Sequence, residues 1–480
     1  MRLLPLRSVF LCFALMGLLT NCREKNVEPQ NPPVPQQALY AGKTFSGFTV
    51  NYAKSVEDHH VTIKALAKIE QDLEVLSTFF TSAQLIVLRS RPIWMELQLT
   101  DGAAWYHPSV AWLLQNRYNP EKAKCVEICN MSHYIEWSDQ NQPCMVMHEL
   151  AHLYHDQALP NGHNNAHVKE VFNKVKASGK YGYVDYYDGS NISKKSAYAT
   201  TNDQEYFAEL TEAYFGINDY YPFTYYELKS FDPDGFALME EVWGVRELPY
   251  GVTAPSPALG LNLHFFYRKY LDAGLPIVSS FRVADTALSI AQNIVKQMLK
   301  KCPDVLEELK KIKIRVGIIG KTEETCDLPE HRDLYTAFPG TDWNARARGL
   351  GPTADRPLVS CGEENLLQLS DDRYAGQNIL VHEFAHAIHL GKRRIDPDWD
   401  ARLQAAFQSA VSLGLWANTR AGSNYEEYFA CAVQAYYHVA RASIPPDGVY
   451  NHVDTNEKLF DYDPWLYTLI EEVLVKTLEN

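Results

Sequence analysis

The stretches "MHELAHLYHD", from Met147, and "VHEFAHAIHL", from Val381, each contain His-Glu-x-x-His, and each adds another His three residues later. In a helix, residues four apart stand one above the other, so His148 and His152 present two imidazoles to one side, about one turn apart. That is the spacing of two ligands on one Zn²⁺. Glu149 lies next to them and can take a proton from an activated water without being a ligand. A catalytic zinc usually takes three protein ligands and leaves one position for water, so the third donor must come from elsewhere in the chain. His155 does not supply it: seven residues of helix carry it about 10 Å along the axis from His148, which places it beside the site or at the surface.

Glu205 is the best candidate for the third ligand. Its surroundings, "DQEYFAELTEAYF", combine strong helix formers with an apolar stripe. Glu209 falls one turn further on the same face and suits the orientation of a ligating histidine. Tyr198 precedes Glu205 by seven residues, near the helix entry, where a phenol can hydrogen-bond a developing oxyanion.

The same plan recurs. "YATTNDQEYFAELTEAYF" from Tyr198 aligns without gaps with "RAGSNYEEYFACAVQAYY" from Arg420, so Glu427 matches Glu205. The second set is therefore His382, Glu383, His386 and Glu427, with Glu383 in the proton-accepting position. Two positions differ: Arg420 stands where the first half has Tyr198, and Cys431 where it has Glu209. A cation cannot act as the neutral phenol does, and a thiol does not orient an imidazole as a carboxylate does. The second set is expected to remain metal-competent but altered, serving binding or stability rather than turnover.

The pattern resembles the gluzincin metallopeptidases, most nearly the lethal-factor type, in which His-Glu-x-x-His is followed by a tyrosine and a Glu-aromatic-Phe-Ala-Glu segment. The resemblance implies zinc on His148, His152 and Glu205, Glu149 as general base, Tyr198 as transition-state stabiliser and Glu209 behind a ligand. It implies an α+β, zincin-like fold and hydrolysis of peptide bonds in a peptide or protein substrate. It covers the catalytic core of each half and carries no substrate identity.

The elements that must position these residues also repeat. Strand-like "FSGFTVNY", helical "HVTIKALAKIEQDLEVLSTFF" and strand-like "IWMELQL" are matched by "IVSSFRVA", "TALSIAQNIVKQMLKKC" and "IKIRVGIIG". Two tandem domains are expected, at 45–250 and 262–480, with the Pro- and Gly-rich "GVTAPSPALG" near the junction. Ahead of them, residues 23–44 are rich in Pro, Gln and Asn and read as an extended tether. Residues 1–22 carry Arg2, Arg7 and a short apolar run, the layout of an export signal, and "LLTNC" resembles a lipoprotein cleavage box that would lipidate Cys22 and attach the chain to a membrane. Export to the cell envelope, or secretion, follows as the expectation.

Seven cysteines remain after the signal; Cys302 with Cys326, and Cys125 with Cys129 or Cys144, are candidate pairs. Net charge is −14 and no basic stripe occurs, which argues against nucleic acid as a partner. "DPDG" at Asp232 and "DPDWD" at Asp396 lack the terminal glutamate of a calcium loop and read as turns or helix caps. Two function classes stand: a zinc metallopeptidase with one working domain, and a surface binding protein of two zincin-like domains with structural zinc. Oligomeric state is not legible.

Overall fold

The computed structural model describes residues 39–261 and 265–474. The signal, Cys22 and the tether up to residue 38 lie outside them. The chain is an α+β protein that divides into two compact units: unit 1 runs to Arg246 and includes Ser256–Ala258, and unit 2 comprises Glu247–Pro255 and the chain from Leu259 onward.

Unit 1 is built on β1 (Tyr40–Phe45), β2 (Phe48–Ala53), β3 (Ile93–Met95), β4 (Ala104–Tyr106) and β5 (Val126–Ile128), in the order β1-β2-β3-β5-β4. The alternating burial of β2 is that of a strand with one face on the core. β1 and β2 form a hairpin closed by Ser46 and Gly47, both at positive φ, the mirror-image turn whose twist suits paired strands. β2, β3 and β5 run parallel, and β4 closes the edge antiparallel to β5. β1 thus begins inside the stretch expected to be tether. Its residues Tyr40 to Phe45 pair in register with Ala53 to Phe48, and the Tyr40 hydroxyl donates to Glu96 at 2.5 Å. Strand pairing supplies a structural use for a segment whose composition alone reads as linker. A second hairpin, β6 (Val184–Tyr187) with β7 (Ile192–Lys195), precedes Tyr198.

Unit 2 has β8 (Lys269–Asp272), β9 (Pro276–Ser279), β10 (Arg315–Ile319), β11 (Gly349–Leu350) and β12 (Leu358–Gly362), ordered β8-β9-β10-β12-β11. The senses match those of unit 1 pair by pair: an opening antiparallel hairpin, two parallel steps, and an antiparallel edge strand.

In each unit a long helix follows the first hairpin, His60–Ser77 or Asp285–Leu299, and buries an apolar stripe. The motif helices, Met145–Ala158 and Ile379–Ile395, each pack beside their sheet and against a second helix, Asp203–Phe215 or Tyr425–Tyr436. The shared Glu-Tyr-Phe-Ala segment explains that packing. Tyr206 donates to Asp232 at 2.7 Å and Tyr428 to Asp463 at 2.6 Å. Asp232 also accepts from the backbone N–H of Gly235 and caps the following helix, so its carboxylate is a structural anchor, as the cap reading expected. Phe207 and Phe429 pack on His155 and His389, with ring centroids 4.9 and 5.8 Å apart.

All seven cysteines of the described residues are free thiols and buried, so none of the expected pairs forms. Cys129 instead accepts from the Thr100 hydroxyl, and Cys144 accepts from the Ile217 N–H. They pack as small apolar groups with weak hydrogen bonds.

Candidate metal centres

An asparagine positions the glutamate of each unit. Asn202, the N-cap of the Asp203–Phe215 helix, accepts from the N–H groups of Gln204 and Glu205, both at 2.9 Å. Asn424 does the same for Glu426 and Glu427, at 3.0 and 2.9 Å. Each cap satisfies two orphan donors and fixes the first turn from which the glutamate projects.

In unit 1 the expected residues converge. Glu205 Oε2 lies 3.0 Å from His148 Nε2 and 3.2 Å from His152 Nε2. The ligand atoms of all three lie within 4.8 Å of one another. Two imidazole nitrogens and one carboxylate oxygen, all buried or nearly so, are the donor types that a three-ligand zinc site uses and could hold a metal ion. Burial raises the carboxyl pKa of Glu205, but His152 and His148 outweigh it and hold the group far below the usual carboxylate range. The chemistry of the set therefore fits a zinc ion. Tyr198 lies in the turn ahead of the Glu205 helix, with its ring 6.3 Å from that of His148. Glu149 is buried on the same helix as the histidines, and burial pushes its pKa up despite the opposing effect of His148 and His152.

The carboxylate behind His148 is Glu212, three residues beyond the expected Glu209. His148 Nδ1 donates to Glu212 Oε1 at 2.7 Å, whereas Glu209 Oε1 stands 4.0 Å away. Residues 205, 209 and 212 share one helical face. The two ring nitrogens diverge, so the imidazole spans from the first of them to the last. Glu209 is turned to Asn218, which donates to its Oε2 at 3.2 Å, and burial together with Asp219 pushes its pKa well up. The signal for Glu212 lay inside the aligned repeat, where it matches Gln434.

His155 is fully buried rather than at the surface. Burial depresses its pKa to about 3, and its ring packs on Phe207 and on His163, the latter at 5.0 Å between centroids.

Unit 2 keeps the frame and changes the charges. His382 Nδ1 lies 3.1 Å from Gln434 Oε1, while the Gln434 amide donates to the Asn378 carbonyl at 2.9 Å. That second bond fixes the amide, so its oxygen faces the ring and Nδ1 carries the proton. His382 Nε2 faces Glu427 Oε2 at 3.0 Å, outside hydrogen-bonding geometry. His386 Nε2 stands 3.9 Å from the same oxygen. Arg420 grips both oxygens of Glu427, Nε to Oε2 at 2.6 Å and Nη2 to Oε1 at 2.9 Å. Burial opposes the His382 cation, but Cys431 and Glu427 outweigh it and push its pKa up to about 10. Burial and His382 drive His386 down to about 3. Glu383 is buried with a raised pKa, as Glu149 is. Gly351 approaches the motif helix so closely that a Cβ there would meet the His386 ring at 3.1 Å. A cleft of about 630 Å³ opens here, lined among others by β11, His386, Arg420 and Glu427.

No family model matches the chain, and no curated protein matches it. Among solved structures, a Pro-Pro endopeptidase (PPEP-2) from Paenibacillus alvei is similar over 41% of this chain and 96% of its own, at 15% identity and a TM-score of 0.29.

Proposed function

We propose that the chain is a zinc-dependent metallopeptidase, built of two zincin-like domains, that hydrolyses peptide bonds at the His148–His152–Glu205 cluster of unit 1. The observation that carries this reading is the approach of two imidazole Nε2 atoms to one carboxylate oxygen, at 3.0 and 3.2 Å, beside a buried glutamate. His148, His152 and Glu205 would hold the ion, which when bound supplies Lewis acidity to a substrate carbonyl and an acidified water. Glu212 keeps the His148 proton on Nδ1 and so aims the Nε2 lone pair at the cluster. Glu149, its proton affinity raised by burial, accepts the proton of the attacking water and passes it to the leaving amine. Tyr198 donates its hydroxyl proton in a hydrogen bond to the oxyanion of the tetrahedral intermediate. β4, an antiparallel edge strand beside the motif helix, offers backbone groups to an extended peptide.

The signal-like residues 1–22 and the tether support export, with attachment to the envelope through a lipidated Cys22. The alternative, a surface binding protein without turnover, draws on the guanidinium that engages Glu427 in unit 2. Metal analysis and a quenched-peptide library separate the two. Hydrolysis that is lost with chelator and regained with zinc supports the peptidase. Bound zinc with no cleavage of any library member selects the binding protein.

A further inference from the structure

We propose that Arg420 is the resident cation of unit 2: its guanidinium takes the place of a metal ion, so the chain carries one zinc, in unit 1, and the His382 cluster is a metal-free site. The inference rests on the zinc reading of unit 1 and makes its own claim about unit 2.

In unit 1 the oxygen that faces both imidazoles, Glu205 Oε2, lies 3.0 and 3.2 Å from their Nε2 atoms. In unit 2 the equivalent oxygen, Glu427 Oε2, accepts from Arg420 Nε at 2.6 Å, and its companion oxygen accepts from Nη2. A paired guanidinium–carboxylate bond is short, directional and charge-neutralising, and it leaves the glutamate little to offer a second cation. A fixed positive charge beside the position of a divalent ion also repels it.

The donor set is less convergent as well. Among the described residues each unit has two close groups: in unit 1 His148, His152 and Glu205 fall together in one of them, the other being His148–Glu209–Glu212, whereas in unit 2 the equivalent residues are split between His382–Glu383–His386 and His382–Glu427–Cys431. His386 Nε2 stands 3.9 Å from Glu427 Oε2, against 3.2 Å for its counterpart in unit 1. Behind the first histidine, the carboxylate of Glu212 becomes the amide of Gln434, which enriches the ring less as a donor. One feature would favour an ion: the buried Nε2 of His382 has no hydrogen bond. It faces an oxygen that Arg420 already holds.

The experiment counts zinc on the full chain by native mass spectrometry and elemental analysis after equilibration with zinc and desalting. One zinc per chain is expected. His148→Ala with His152→Ala should reduce the count to zero, and His382→Ala with His386→Ala should leave it at one. Arg420→Tyr combined with Cys431→Glu and Gln434→Glu should raise it to two, with a matching second contribution to the visible spectrum of the cobalt form. Arg420→Tyr alone, the milder change, should admit a second zinc about 10- to 100-fold more weakly than the triple variant. Circular dichroism melts confirm that each variant is folded. Two zinc ions on the parent chain, one of them lost in the His382/His386 variant, overturn the proposal. So does a folded triple variant that stays at the parent count. A parent chain with no zinc overturns the reading of unit 1 instead; unit 2 is then decided by whether the triple variant gains one.

Discussion

His148 donates its Nδ1 proton to the carboxylate of Glu212, and His382 donates the same proton to the amide of Gln434. Around this pair the two units differ in a consistent direction. Unit 1 surrounds its first histidine with Glu205, Glu209 and Glu212; at the equivalent positions unit 2 has Glu427, Cys431 and Gln434. Unit 1 thus gathers three carboxyl groups around its first histidine, which on the proposed reading face an external cation, whereas in unit 2 the guanidinium of Arg420 engages the one glutamate that remains. The backbone frame, the asparagine caps and the Tyr–Asp anchors are common to both. The difference teaches that one backbone frame can hold different charges at its centre, because the caps and anchors that build the frame are made by other residues.

The largest effect expected from breaking this comparison comes at the paired glutamates. Glu149→Gln should lower peptide hydrolysis about 10²- to 10⁴-fold while zinc is retained, because the amide keeps the shape and cannot accept a proton. Glu383→Gln should leave most turnover; a collapse of activity in that variant instead would reverse the assignment of working and altered units. Tyr198→Phe should cost about 10²- to 10³-fold in kcat with little change in KM, since its hydrogen bond serves the transition state. An equal rise in KM at constant kcat would show that the phenol binds ground-state substrate.

Glu212→Gln makes unit 1 resemble unit 2 at one position and should weaken zinc affinity about 10- to 100-fold. Glu209→Gln should weaken it less, because that carboxyl is held by Asn218 and not by His148. Competition with a calibrated chelator gives both values, and a reversed order would return the orienting role to Glu209.

His155 sharpens the comparison through pH. Burial sets its pKa near 3 in the folded unit, against 6.5 for the free side chain. Below 6.5 the unfolded chain therefore binds more protons, and the stability of unit 1 should fall as pH drops from 6.5 toward 3, by up to about 1.4 kcal/mol per pH unit from this group. Hydrogen exchange in the Met145–Ala158 helix reads that slope, and His155→Phe should flatten it. An unchanged slope would assign the acid sensitivity to other groups. The smallest effect should be the shared one: Asn202→Ala and Asn424→Ala should each cost about 1 kcal/mol in thermal or denaturant unfolding. A clear difference between them would show that the two caps do not carry equal weight.

Much of this is legible in the sequence. Spacing alone put two imidazoles on one helical face, and the ungapped repeat paired Glu205 with Glu427 and exposed Arg420 and Cys431 as departures. These are one-dimensional facts, since helical periodicity and aligned register need no knowledge of neighbours. The residue behind His148 was a different matter. Glu209 and Glu212 lie on the same stripe of the same helix, and only the crossing of two helices decides which carboxylate meets a diverging ring nitrogen. The burial of His155, the free state of the seven thiols and the pairing of β1 within a linker-like segment were likewise set by packing. The sequence determined which side chains could act together, because that follows from repeat and period. The tertiary structure decided which of them touch, because contact depends on how separate helices and strands meet, and no local pattern encodes that angle.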